Sequence, residues 1–357
     1  MPQVKVGDDL FHVELDGRPD APVLMLSNSL GTNLAMWDPQ MPELTKHFHV
    51  VRYDSRGHGQ SAAPAGPYSI AQLGQDALGI MDDLGFAQVH WMGLSKGGMV
   101  GQWLLTHHPE RIERAVLANT AAQAGSADVW NDRIRTVNAE GMAAVAPSVI
   151  QRWFTTAFQE RDPMAVEKIL AMLHTTPPQG YVGCCSAIRD MDQRESIRDV
   201  ETPVLVIVGM QDPATPPEAG ELIAERIAGA ELIALDAAHL SNIEQPEAFT
   251  RAVVAFLTRR DAPPTRHAAA KAAKKASKKA AKKKTPKKAS KKAAKHAVKK
   301  AAKKASKKSA KKAVKKAVKK GVKHAAKKVA KRVSKAAKKL GGRAKTLARK
   351  AGRGRAR

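Results

Sequence analysis

The stretch Val89-His90-Trp91-Met92-Gly93-Leu94-Ser95-Lys96-Gly97-Gly98-Met99-Val100 constrains this chain more than any other. A short apolar run ends in Gly-x-Ser-x-Gly-Gly, and a helix-like pattern follows. The order reads as strand, tight turn and helix, with Ser95 at the apex. On such a turn the serine backbone is strained and its hydroxyl is lifted clear of the sheet edge. Gly93 and Gly97 belong to the same geometry, because a Cβ at either position would meet the neighbouring strand or helix. Glycine and serine are common residues, so the motif gains meaning only through what accompanies it elsewhere in the chain.

The segments around it alternate. Strands are expected at residues 3–6, 11–15, 22–26, 49–53, 89–92, 114–118, 204–209 and 231–235. Asp16-Gly17 gives a turn signal after the second of these. The runs at 22–26 and 204–209 are continuously apolar, as in strands buried on both faces. Helical spacing marks residues 38–47, 70–84, 98–107, 218–227 and 246–259. Strands alternating with helices imply an α/β fold with a mostly parallel sheet covered on both sides. Between about 121 and 197 the strand signal disappears, and helices are expected at 128–138, 144–158, 163–173 and 179–190. Such an insertion would form a helical cap over the strand ends.

Charge divides the chain in two. All 33 acidic residues precede Ala262, whereas 41 of the 61 basic residues follow Asp261. The first part therefore holds 20 basic residues against 33 acidic ones, a net charge of −13, although the whole chain carries +28. Residues 1–260 have the length and apolar content of one α/β domain, 261–266 read as a linker, and 267–357 as a basic tail. The two cysteines, Cys184 and Cys185, are adjacent, which disfavours an unstrained disulfide. No Cys/His spacing suggests a metal, and no apolar run reaches transmembrane length. A cytoplasmic protein without cofactor is expected. The loop Asp54-Ser55-Arg56-Gly57-His58-Gly59-Gln60-Ser61 is glycine-rich, but no Gly-Lys-Ser/Thr follows it. It reads as a structural turn with Arg56 and His58 in loop hydrogen bonds.

Two further residues complete the chemistry that Ser95 begins. Asp212 lies just past the strand ending at Gly209, and His239 just past the last strand. In an open parallel sheet the C-terminal strand ends share one edge, where ligands bind. A serine hydroxyl is a poor nucleophile at neutral pH, so an imidazole must take its proton. A carboxylate then holds the correct tautomer and stabilises the imidazolium. The developing oxyanion needs donors as well. The backbone N–H of Lys96, directly after the nucleophile, is one candidate, and that of Leu30, in the loop after the third strand, is the other. The Lys96 side chain itself is expected at solvent or beside the oxyanion.

With these residues in view, the first 260 residues resemble the α/β-hydrolase superfamily, whose chain order is also Ser, Asp, His. Within it they are similar to the 3-oxoadipate enol-lactonases. The resemblance is carried by Ser27-Asn28-Ser29-Leu30-Gly31-Thr32 with Trp37-Asp38, by Tyr53-Asp54-Ser55-Arg56-Gly57-His58-Gly59, and by the Ser95 turn. It continues in Gly183-Cys184-Cys185-x-Ala187-Ile188-Arg189-Asp190-Met191-Asp192 and in Ala238-His239-Leu240-Ser241-Asn242-Ile243-Glu244-Gln245-Pro246. Two positions mark this chain. Lys96 stands where such relatives carry Met or Leu, and Asn28 where many α/β-hydrolases have the His of a His-Gly pair. The resemblance implies hydrolysis of a small-molecule substrate, an unsaturated five-membered lactone bearing an acetate arm. Its carboxylate calls for a cation and an apolar wall. Trp130 and Arg133 are one helical turn apart, so Arg133 is the candidate carboxylate fork, with Trp130 or Trp153 as the wall. A generic esterase or C–C hydrolase is the alternative enzyme. A nucleoid-binding protein with a vestigial hydrolase body is the alternative that makes the tail primary.

The tail resembles linker-histone C-terminal domains in its Lys/Ala repeats. Charge this dense and so little apolar surface imply disorder when free, with helix available once charge is neutralised. Such a segment binds DNA or another polyanion by releasing counterions, without reading sequence. No aromatics are interleaved to stack on bases. Gel-shift titration of the full chain on DNA should therefore show binding that dissolves as salt rises. A shift that persists in high salt contradicts this electrostatic account.

Overall fold

The computed structural model describes residues 3–259. The linker and the basic tail lie outside the described residues. Eight strands, β1 (Gln3–Val6), β2 (Asp9–Gly17), β3 (Val23–Ser27), β4 (His49–Tyr53), β5 (Val89–Leu94), β6 (Ile112–Ala118), β7 (Val204–Gly209) and β8 (Glu231–Leu235), form one sheet. Their order is β1-β2-β4-β3-β5-β6-β7-β8. β1 and β2 pair antiparallel, as do β2 and β4, and every later pairing is parallel. Central strands β5 and β7 are buried at every residue, whereas the edge strand β8 alternates, as one face meets solvent.

Among the described residues eleven α-helices accompany the sheet: α1 (Met41–His47), α2 (Ile70–Asp83), α3 (Lys96–His107), α4 (Ala127–Glu140), α5 (Ala146–Trp153), α6 (Thr156–Arg161), α7 (Pro163–Thr175), α8 (Pro178–Asp190), α9 (Pro217–Arg226), α10 (Ser241–Glu244) and α11 (Pro246–Leu257). α2 shows how locally such elements are written. Ser69 caps it by accepting from the Gln72 N–H, Ile70, Leu73, Ala77, Ile80 and Met81 are buried, and Gly85 follows its end at φ +76°. Helices α4 to α8 all fall between β6 and β7.

Three segments depart from the sequence expectation. The helix expected over 38–47 begins as a 3₁₀ turn, Leu34–Gln40, and becomes α-helical only at Met41. Pro39 and Pro42 each remove a backbone donor there. The single helix expected over 144–158 is two helices, α5 and α6. Phe154 is extended, and the Thr155 hydroxyl caps the new start by accepting from the Phe158 N–H. Asp16-Gly17, expected as a turn, continues β2, with Gly17 at φ +84° against the Phe48 and Thr45 carbonyls.

The turn between β5 and α3 is built on close backbone contact. Ser95 has φ +56° and ψ −115°. A Cβ at Gly93 would strike the Gly97 carbonyl, and one at Gly97 would strike the Ser27 carbonyl of β3. Overpacking of this kind costs about 1–3 kcal/mol. Gly97→Ala should lower the thermal unfolding midpoint by several degrees, and an unchanged midpoint would show that the backbones are not in forced contact.

Candidate active site

Strand ends bring the sequence candidates to one place. Ser95, His239, Leu30, Trp130, Arg133 and Trp153 all line a cavity of about 220 Å³, together with Arg152, Val129, Ile188 and Thr215. β5 delivers Ser95, the loop after β3 delivers Leu30, and the loop after β8 delivers His239. The remaining wall comes from α4, α5 and α8, from Met99 of α3 and from the loops before α4 and after β7.

Asp212 and His239 are joined, with Asp212 Oδ2 2.8 Å from His239 Nδ1. Both are buried. The carboxylate also accepts from the Thr215 hydroxyl at 2.7 Å, the Asn119 amide at 3.0 Å, and the Ala214 and Thr215 N–H groups at 2.8 and 3.0 Å. One side chain thus caps a turn and fixes an imidazole. Burial works to raise the Asp212 pKa, but the His239 ring and these donors outweigh it and hold the carboxyl below its ordinary value. His239 is therefore held with Nδ1–H toward the carboxylate and Nε2 free. The Trp153 ring stacks on it, with centroids 5.8 Å apart. Ser95 shares the cavity with His239 but is not hydrogen-bonded to it; such bonds are often long before substrate binds.

The Leu30 and Lys96 backbone N–H groups donate to no protein acceptor among the described residues. The loop bearing Leu30 is held from several sides. Asn28 donates to the Tyr53 carbonyl at 2.8 Å and accepts from Trp37 Nε1 at 2.8 Å. The Lys96 side chain corrects the expectation from sequence. It lies neither at solvent nor in the cavity lining, but is 1% exposed in the interior. Burial lowers its pKa, with Cys184, Asp54 and Asp76 acting in the opposite sense.

On the insertion, Arg133 stacks over Trp130 at 5.0 Å, as their spacing on one helix requires. Arg152 was not singled out from sequence, because one basic residue in an amphipathic helix carries no signal. Burial lowers its pKa, and the like charge of Arg133 adds to this. Neither arginine forms an ion pair among the described residues. Two guanidinium groups therefore face the serine's cavity without a carboxylate.

Two supporting residues were also missed. Asn119, at φ +42° just beyond β6, donates to both Asp212 and the Ala238 carbonyl and accepts from the Ser241 hydroxyl. Glu244 accepts from the Thr155 N–H and hydroxyl at 2.7 and 2.8 Å, and from the Ala238 N–H. It ties the insertion to the histidine loop.

A strained serine after a buried strand, an Asp–His pair on later strand ends and this sheet order define an α/β-hydrolase. The chain belongs to that family: the model of the alpha/beta hydrolase fold matches residues 22–246. Among particular proteins, it is 43% identical to 3-oxoadipate enol-lactonase 2 of Acinetobacter baylyi, over 68% of this chain and 91% of that one. It is 38% identical to 3-oxoadipate enol-lactonase 1 of the same organism, over 69% and 92%. The crystal structure of the enol-lactonase from Burkholderia xenovorans LB400 superposes with a TM-score of 0.72 at 46% identity, covering 72% of this chain and all of that one.

Removing one buried acceptor oxygen should expose the role of Glu244. Each orphaned donor costs about 1–3 kcal/mol. Glu244→Gln is expected to lower the unfolding midpoint by several degrees; a midpoint equal to that of the unaltered protein would refute the tie.

Proposed function

We propose that this hydrolase opens 3-oxoadipate enol-lactone to 3-oxoadipate, a step in aromatic-compound breakdown through the β-ketoadipate route. The observation that carries the reading is the pair of guanidiniums, Arg133 and Arg152, that line the cavity holding Ser95 and His239 with no carboxylate paired to either among the described residues. Two like charges on one half-buried wall repel, and an anionic substrate between them relieves both at once. The similarity to enol-lactonases supports the same substrate.

In this reading Ser95 Oγ attacks the ring carbonyl as His239 Nε2 takes its proton. Asp212 holds the imidazole tautomer and stabilises the imidazolium. The oxyanion forms against the Leu30 and Lys96 N–H groups. Collapse expels the ring oxygen as an enolate, which gains a proton and becomes a ketone. An enolate leaves more readily than an alkoxide, so the acid step asks less of His239. Water, deprotonated by His239, then attacks the acyl-enzyme and frees the second carboxylate. Arg133 and Arg152 hold the acetate arm throughout, against Trp130 and Trp153. The basic segment at 267–357 tethers the enzyme to DNA or another polyanion; its composition alone supports this part of the proposal.

The test compares the acidic lactone with a neutral p-nitrophenyl ester. Ser95→Ala should abolish turnover of both. Arg133→Ala and Arg152→Ala should each raise the KM for the lactone roughly ten- to a hundredfold, the worth of one charge-assisted hydrogen bond, while leaving the neutral ester nearly unaffected. Equal effects on both substrates, or no lactone turnover by the unaltered enzyme, would overturn the proposal.

A further inference from the structure

The loop from Asp54 to Ser61 supplies nothing to the chemistry above, yet its histidine grips the loop that does. His58 is wholly buried and is not part of the cavity lining. Its Nε2 accepts the Gly31 N–H at 2.8 Å, and its Nδ1 faces the Arg56 carbonyl at 3.1 Å. A carbonyl only accepts, so Nδ1 carries the proton and Nε2 the lone pair. The ring is therefore neutral and in a single tautomer. Burial first, and then the charge of Lys96, keep its pKa well below the ordinary value, in agreement with that geometry.

The Gly31 N–H shares a rigid plane with the Leu30 carbonyl, so the His58 bond restrains the peptide that follows Leu30, and the Leu30 N–H, one peptide earlier, is restrained through the φ and ψ of Leu30. A second grip comes from the insertion. The Thr176 hydroxyl lies 3.1 Å from the Gly31 carbonyl and shares its one proton with the nearer Met172 carbonyl at 2.8 Å. Leu173 and Tyr181 close over Gly31, which sits at φ +81° where a side chain would collide with both. The His58 loop is itself anchored. Arg56 makes a two-pronged bond to buried Asp76 at 2.7 and 2.6 Å, and the Gly57 N–H donates to the Ala62 carbonyl at 2.8 Å.

We infer that His58 is a positioning residue of the oxyanion site: acting through Gly31, it sets the direction of the Leu30 N–H, with Thr176 as the opposing grip. The inference rests on the reading that Leu30 is an oxyanion donor and Ser95 the nucleophile.

Three readouts test it on the full-length enzyme: kcat and KM for a p-nitrophenyl ester, inhibition by phenylboronic acid, and the unfolding midpoint. The boronic acid forms a tetrahedral adduct on the serine that puts an oxygen in the oxyanion position. His58→Leu should lower kcat with little change in KM, by a factor approaching the roughly 10²–10³ typical for loss of one donor. Affinity for the boronic acid should fall by a similar factor. His58→Gln, which keeps an acceptor facing Gly31, should recover most of both losses. If the leucine variant does not fold, Thr176→Val is expected to lower kcat and boronate affinity together by a smaller common factor. Unchanged kcat, or a fall in kcat and midpoint with boronate affinity intact, would reduce His58 to a structural residue. Failure of the underlying reading looks different: Ser95→Ala would then keep its activity, and the boronic acid would not inhibit the unaltered enzyme.

Discussion

A serine held at positive φ persists only when its surroundings leave it no alternative. Here the constraint is backbone against backbone. Gly93 and Gly97 let β5, α3 and β3 approach so closely that no other path is open between strand and helix. Ser95 reaches the cavity at the cost of an unfavourable conformation, and the buried strands on either side supply the rigidity that enforces it. Asn119, one strand over, is the other non-glycine residue at positive φ among the described residues. It too sits where a strand ends and a polar side chain must be aimed.

Around that serine the polar groups are arranged by satisfaction rather than by proximity alone. Asp212 receives donors from a histidine, a threonine, an asparagine and two backbone amides, so its charge is stabilised although water is excluded. Glu244 and the Gln40–Asn242 contacts do the same for the histidine loop, joining segments some 200 residues apart in sequence. The cavity wall differs: the half-buried guanidiniums of Arg133 and Arg152 have no carboxylate partner among the described residues, an imbalance that a bound carboxylate would correct under the proposed function.

Much of this was legible in the chain because local rules and global fold agree. Continuous apolar runs located β3 and β7, and Ser95, Asp212 and His239 stood out as candidates because an open parallel sheet puts function at strand ends. Trp130 and Arg133 were found because helical spacing alone makes them neighbours. What escaped was set by distant partners. Nothing near Thr155 announces the break between α5 and α6, which depends on a carboxylate at Glu244. Arg152 reads as an ordinary surface arginine until α4 and α5 are seen to line the same cavity. The Lys96 side chain reads as solvated, because no local pattern reveals that α3 packs its first turn into the interior. His58 was correctly read as a loop residue in hydrogen bonds, but which loop it holds is a tertiary fact.

The bond between Thr176 and the Gly31 carbonyl makes the roof and the floor of the cavity one mechanical unit. Any tilt of α7 and α8 that widens the doorway must also tug on the segment bearing Leu30. Under the proposed mechanism, a ligand too large for α7 and α8 to pack as they do here would also disturb the segment that carries the oxyanion donor.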